Sequence, residues 1–177
     1  MTTYFSKLHV EAIRVSLKDT TREIKAILES LRNKCNNLFI QFIDEKAFYS
    51  KKQVALAYIL STKAFKEKYN RLRRQGLEFL LYLAATTQFN KAIERVGVKG
   101  KTACLIIIGE KHEDVEKCIS KIKEDLEMLG TCKPNQEYIK KLYNIDEKLA
   151  QELCFQGDKN KCLEILILES IASIDYS

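Results

Sequence analysis

Residues 76–100, GLEFLLYLAATTQFNKAIERVGVKG, constrain this chain more than any other stretch. Leu77, Phe79, Leu80, Leu81, Tyr82, Leu83, Ala84 and Ala85 put apolar side chains on nearly every side of a helix. A helix that is apolar all round is buried, so the rest of the fold must be laid around it. Thr86 and Thr87 end the block. Thr87 is expected to cap a second short helix, on which Phe89, Ala92, Ile93 and Val96 fall at inward spacing. Gly97 stands where a helix end favours positive φ. Gln88, Asn90, Lys91 and Arg95 are left on the outer side. A buried scaffold, a polar hinge and a basic face together make a place to hold a ligand.

Around this centre the pattern predicts an α+β fold. Its small mixed sheet is drawn from residues 6–15, 38–43 and 102–108, surrounded by about seven or eight helices, with residues 1–177 as one domain. Strand 1 alternates imperfectly, which points to a bulge near Ala12. A helix over 20–34 has Asp19 as its cap and Ile24, Ile27, Leu28 and Leu31 inward. The first two strands can be joined by a parallel crossover or paired antiparallel. Ser50 caps a helix over 51–67. Ala103 to Ile108 is almost continuously apolar and belongs in the middle of the sheet. A helix over 113–129 turns Val115, Ile119, Ile122, Leu126 and Leu129 inward, and 131–134 is a loop or short edge strand. Helices over 136–143 and 146–155 have Asn135 and Asp146 as caps. The last helix, 159–173, has apolar residues on more sides than a surface helix needs, so it is deeply buried or meets a partner.

The chemistry that is missing narrows the function. There is no Gly-rich phosphate loop, no metal-ligand spacing and no signature of an activated nucleophile, so the reading is of a chain that is not an enzyme and needs no cofactor or metal. Acidic residues fall mostly on helix exteriors. His9 and His112 read as structural or solvent-facing. The six cysteines are scattered without a Cys-x-x-Cys pair and read as small buried hydrophobes; a hyperthermophile could pair some of them. Abundant isoleucine, lysine and glutamate lean towards such a source. No stretch approaches the roughly 20 apolar residues of a membrane span, and the N-terminus lacks the apolar core of a secretion signal. The cytoplasm is the expected compartment.

Charge is unevenly placed. Residues 46–101 hold 13 Lys and Arg against three acidic residues, while the remainder holds 17 against 21. Such asymmetry points to one electropositive face. Lys63, Lys66, Lys68, Arg71, Arg73 and Arg74 crowd just upstream of the apolar block. They are either a solvated helix end or a phosphate-binding patch. Tyr58, Phe65, Tyr69, Phe79, Tyr82 and Phe89 interleave with them. Cations with aromatics suit single-stranded RNA, whose phosphates are neutralised while its bases stack.

The run LLYLAATTQFNKAIERVGVKGKTACLII resembles the central signature of the tRNA-binding accessory subunit of the KEOPS complex, the p53-related-protein-kinase-binding protein family. That signature is an apolar helix, a small-residue hinge, an Arg-Gln-Ile type turn, an Ala-Ile pair, a glycine and an apolar strand. Here Thr87 replaces the arginine and Phe89 the aliphatic residue. FYSKKQVALAYILSTKAF and ILILESIASI extend the likeness more weakly. The resemblance implies an archaeal, non-catalytic subunit of the machinery that makes threonylcarbamoyladenosine at tRNA position 37. It implies binding to the 3′ CCA end of tRNA, to the kinase-like ATPase subunit and, indirectly, to other KEOPS subunits. On this basis Gln88, Asn90, Lys91 and Arg95 are assigned to the RNA end. Lys63, Lys66, Arg71, Arg73 and Arg74 are assigned to its backbone, and Leu166, Ile167, Ser170 and Ile171 to the kinase-like partner. The alternatives are an adaptor that activates the kinase-like subunit without touching RNA, a small-molecule-binding or catalytic α/β domain, and a paralogue with altered RNA preference.

Overall fold

The structure is a computed structural model and describes residues 7–18, 22–146, 148, 150, 152 and 157–176. The chain divides into two compact units, Met1–Glu45 with Gly97–Lys133, and Lys46–Val96 with Pro134–Ser177.

The first unit holds the sheet. Its strands are β1 (His9–Ser16), β2 (Phe39–Asp44), β3 (Thr102–Gly109) and β4 (Met128–Thr131), in the order β2-β3-β1-β4. Every neighbouring pair is antiparallel, with Ile13 opposite Leu105 and Phe42 opposite Leu105 on either side of β3. The sheet is therefore not mixed in its pairings. β1 and β2 run the same way but are separated by β3, so the helix between them, α1 (Arg22–Lys34), makes a split crossover. β3 is central, as its unbroken apolar run requires, and residues 103–109 are all buried. The irregularity in β1 falls between Arg14 and Val15 rather than at Ala12. Asp19, the expected cap of α1, lies outside the described residues.

One face of the sheet packs on α1 and α5 (His112–Ile122). Ile13, Val15, Ile40, Phe42, Leu105 and Ile107 meet Leu31, Val115, Cys118 and Ile122 there. The helix expected to run to 129 stops at Ile122. Leu126 is still buried, but Leu129 passes into edge strand β4 and is exposed. Two disulfides, Cys35–Cys118 and Cys104–Cys132, link the residue after α1 to α5 and β3 to the residue after β4. Cys162 is disulfide-bonded as well. The reading of the cysteines as unpaired hydrophobes is thus corrected. Pairing depends on long-range register, which spacing along the chain does not carry.

The second unit is helical. α2 (Lys51–Lys66) and α3 (Gln75–Leu83) form a hairpin; α4 (Phe89–Val96) and α7 (Lys159–Ala172) pack on it, and α6 is Gln136–Leu142. Ser50 caps α2 by accepting the N–H of Gln53 at 3.2 Å, and Asn135 caps α6 by accepting that of Tyr138 at 3.0 Å. α3 is buried all round, as its composition demands: Phe79, Leu81, Tyr82 and Leu83 are each fully buried. The helix expected over 146–155 lies partly outside the described residues, though Asp146 does accept the N–H of Lys148 at 2.8 Å. Among the described residues no helix is long and apolar enough to cross a membrane.

Candidate nucleic-acid interface

Everything assigned to RNA lies in the second unit, and α3 sets its layout. Nine residues at about 1.5 Å each make a helix roughly 13 Å long. The basic residues gather where α2 ends and α3 begins. The polar hinge follows the far end of α3. The structure therefore brings the sequence-predicted residues together as two groups, one at each end of a short buried helix.

At the first end, Lys63 and Lys66 occupy the last turn of α2, where cations complement the helix dipole. The chain then turns through Lys68, in a left-handed conformation at φ 63. Its N–H reaches Phe65 O and that of Tyr69 reaches Ala64 O, the two bonds of a Schellman end. Lys63, Lys66, Arg73 and Arg74 are exposed, and their side chains make no hydrogen bond or ion pair among the described residues. Arg71 differs. Its guanidinium lies 3.6 Å from Glu78 and 3.4 Å from Asp175 and donates to Ile174 O at 3.3 Å. Its guanidinium is thus engaged with partners of the same unit, while its side chain stays 28% exposed. Its partner Glu78 is fully buried, against the expectation that acidic residues are solvated.

At the other end, α3 closes in a second Schellman motif. Ala85 N–H reaches Tyr82 O, Thr86 N–H reaches Leu81 O, and Ala85 holds φ at 46 where glycine is usual. The last carbonyls of α3 would be orphans. Arg95 Nη1 donates to Ala84 O at 3.2 Å, and the buried Tyr143 hydroxyl donates to Leu83 O at 2.6 Å. The same hydroxyl accepts from Gln53 Nε2 at 2.9 Å, and Gln53 in turn donates to Ala47 O and accepts from Tyr49 N–H. Burial pushes the Tyr143 phenol far above its usual range. The hinge is thus rigidly mounted from beneath. Gln88, Asn90 and Lys91 stand exposed on top, while Arg95 is half-buried and partly committed.

Three details of the hinge depart from the sequence reading. Thr87 is not the cap of α4; Thr86 Oγ1 accepts the N–H of Gln88 at 3.3 Å instead. Gly97 has no positive φ. Phe89 and Ile93 do not point inward: they are 38% and 40% exposed, because the one-sided packing of α4 uses only Ala92 and Val96. An exposed phenyl ring therefore sits beside the exposed amides.

On α7 the structure divides the four partner residues. Ile167 and Ile171 are fully buried and belong to the unit's own core with Leu163 and Ile174, which corrects their assignment as partner contacts. They lie on the inward stripe of the helix at i, i+4 spacing. Leu166 and Ser170 are half-buried, the hydroxyl of Ser170 donating to Leu166 O at 2.8 Å. Ile165, on the outer side, is 63% exposed, the highest value among the large hydrophobic residues described. The two histidines also meet: His9 and His112 rings stand edge to face with centroids 5.4 Å apart, and no metal-holding cluster occurs among the described residues.

The family model described as kinase binding protein CGI-121 matches residues 17–175. No curated protein matches the chain.

Proposed function

Because the chain belongs to the CGI-121 family of kinase binding proteins, the accessory subunits of KEOPS, we propose that it is a non-catalytic subunit serving tRNA threonylcarbamoyladenosine synthesis. In this reading it holds the kinase-like ATPase subunit and captures the single-stranded 3′ CCA end of tRNA. Capture would spend binding energy on positioning the tRNA for distant chemistry rather than on chemistry itself.

One observation carries the RNA reading. Lys63, Lys66, Arg73 and Arg74 are exposed at one end of α3, with no hydrogen bond or ion pair among the described residues, and Gln88, Asn90 and Lys91 are exposed at the other. The cations suit phosphates, the amides suit base edges, and the exposed ring of Phe89 offers a stacking platform. Arg95 supports the hinge from its position on Ala84. For the kinase-like partner the outer side of α7 is the candidate, with Ile165 at its centre and the half-buried Leu166 and Ser170 on the flank between it and the buried stripe. An Ile165→Asp substitution should weaken that complex while leaving the isolated subunit folded.

The test is binding to one tRNA with and without its 3′ CCA, at fixed salt because phosphate contacts make affinity steeply salt-dependent. Loss of binding on trimming is the expected result. Equal binding would leave only a generic basic face. A second reading, an adaptor without RNA contact, draws on Arg71 being committed internally and on a family description that speaks of kinase binding alone. It requires that Arg73→Glu with Arg74→Glu leave complex activity intact.

A further inference from the structure

The basic loop between α2 and α3 does not hold its own shape. Within residues 67–74, Asn70 Nδ2 donates to Leu72 O at 3.0 Å, but the principal anchors come from outside. Glu78, in the first turn of α3, accepts the backbone N–H groups of Arg71 and Leu72 on Oε2 at 3.0 and 2.8 Å. Its Oε1 is buried with no hydrogen bond among the described residues, and Arg71 Nη1 stands 3.6 Å from it. The second anchor is Asp175, in the turn Ser173–Tyr176 that follows α7. It accepts the Tyr82 hydroxyl at 2.6 Å and Arg71 Nη1 at 3.4 Å, while the Arg71 guanidinium lies 5.9 Å from the centroid of the Tyr82 ring. One arginine of the loop is therefore drawn inward between two carboxylates, and its neighbours Arg73 and Arg74 are left facing solvent.

We propose that Asp175 and Glu78 are positioning residues that brace the basic loop, so that presentation of Arg73 and Arg74 to a polyanion depends on the turn that ends α7. The inference rests on the RNA reading above. Its consequence is a link between the partner helix and the loop. A protein that binds α7 and orders its final turn favours the braced loop, and an RNA that selects the braced loop tightens the partner by the same factor.

The test uses Asp175 rather than Glu78, because removing a fully buried partner of an ion pair endangers folding. Full-length Asp175→Ala and Tyr82→Phe proteins would be compared with the native chain for binding to a CCA-ended tRNA transcript across a salt series. Amide exchange of residues 69–74 would be followed with and without the kinase-like subunit. Asp175→Ala should weaken binding about tenfold and reduce the salt slope by about one to two. It should also speed exchange at Arg71 and Leu72. Tyr82→Phe, which deletes one hydroxyl, should move all three the same way by less. The kinase-like subunit should slow loop exchange in the native chain and not in Asp175→Ala. Unchanged loop exchange in Asp175→Ala overturns the brace, whatever the RNA does. Faster exchange with unaltered tRNA affinity and slope overturns the positioning role. If the native chain binds no tRNA, the RNA reading fails, and the brace is then decided by the exchange data alone.

Discussion

Tyr143→Phe deletes one oxygen from the floor of the hinge, and its cost can be worked from the contacts. The hydroxyl donates to Leu83 O at 2.6 Å and accepts from Gln53 Nε2 at 2.9 Å. Tyr143 is 8% exposed, Gln53 is fully buried, and the other donor of Gln53 already serves Ala47 O. The substitution therefore strands a helix-terminal carbonyl and one amide N–H away from water. Each stranded group costs about 1–3 kcal/mol, and phenylalanine recovers a little by being more apolar, so a loss of about 2–4 kcal/mol is expected. For a chain of this size that is a fall in melting temperature of about 5–15 °C. Urea titration followed by circular dichroism measures it, with the transition slope as a check that the unfolding reaction is unchanged. A loss under about 1 kcal/mol would refute the reasoning, since it would mean that water reaches Leu83 O or that the network is not closed.

Three further outcomes follow from the same kind of accounting. Tyr143 and Tyr82 both have phenols raised above the ordinary value near 10, each chiefly by burial and Tyr82 also by Asp175. A raised folded-state pKa gives stability that is complete below about pH 10 and lost as pH climbs above it, at up to about 1.4 kcal/mol per pH unit for each group. Denaturant titrations from pH 8 to 11 should show that fall, and Tyr143→Phe should flatten it. Ala85→Gly removes left-handed strain of about 1–2 kcal/mol against a larger unfolded-state entropy, for a net gain of about 0.5–1 kcal/mol by thermal melting. Serine in place of both Cys35 and Cys118, 83 residues apart, should cost about 4–5 kcal/mol. The same change at Cys104 and Cys132, 28 apart, should cost about 3–4 kcal/mol. Both are read by melting under non-reducing conditions.

What the sequence reveals is what short-range chemistry dictates. The burial of α3, the Ser50 and Asn135 caps and the central place of β3 follow from apolar runs and single capping side chains, and all three are found. The errors share a cause as well. Ile167 and Ile171 looked available because α7 is apolar on many sides; which side faces inward is decided by the helices it meets. Phe89 and Ile93 share one helical face with Ala92 and Val96, as a core pattern would, but the unit covers only Ala92 and Val96 on that face. Glu78 and Tyr143 are the least legible. A carboxylate in an apolar run and a tyrosine near a helix end carry no local sign that one anchors a loop 6–7 residues earlier and the other a carbonyl 60 residues away. The one local signal for burial of Glu78 is the apolar turn that follows it on α3, with Leu81 and Tyr82 at i+3 and i+4.

The Cys35–Cys118 bond has a consequence for how this protein breaks. It closes a covalent ring in the chain, and the whole first segment of the helical unit, Lys46–Val96, lies within that ring along the sequence. A protease that cuts once anywhere between the two cysteines, the basic loop at Arg73 or Arg74 included, opens the ring without releasing a fragment. The nicked chain should migrate as one species on a non-reducing gel and as two after reduction, and its halves remain tethered at high effective concentration.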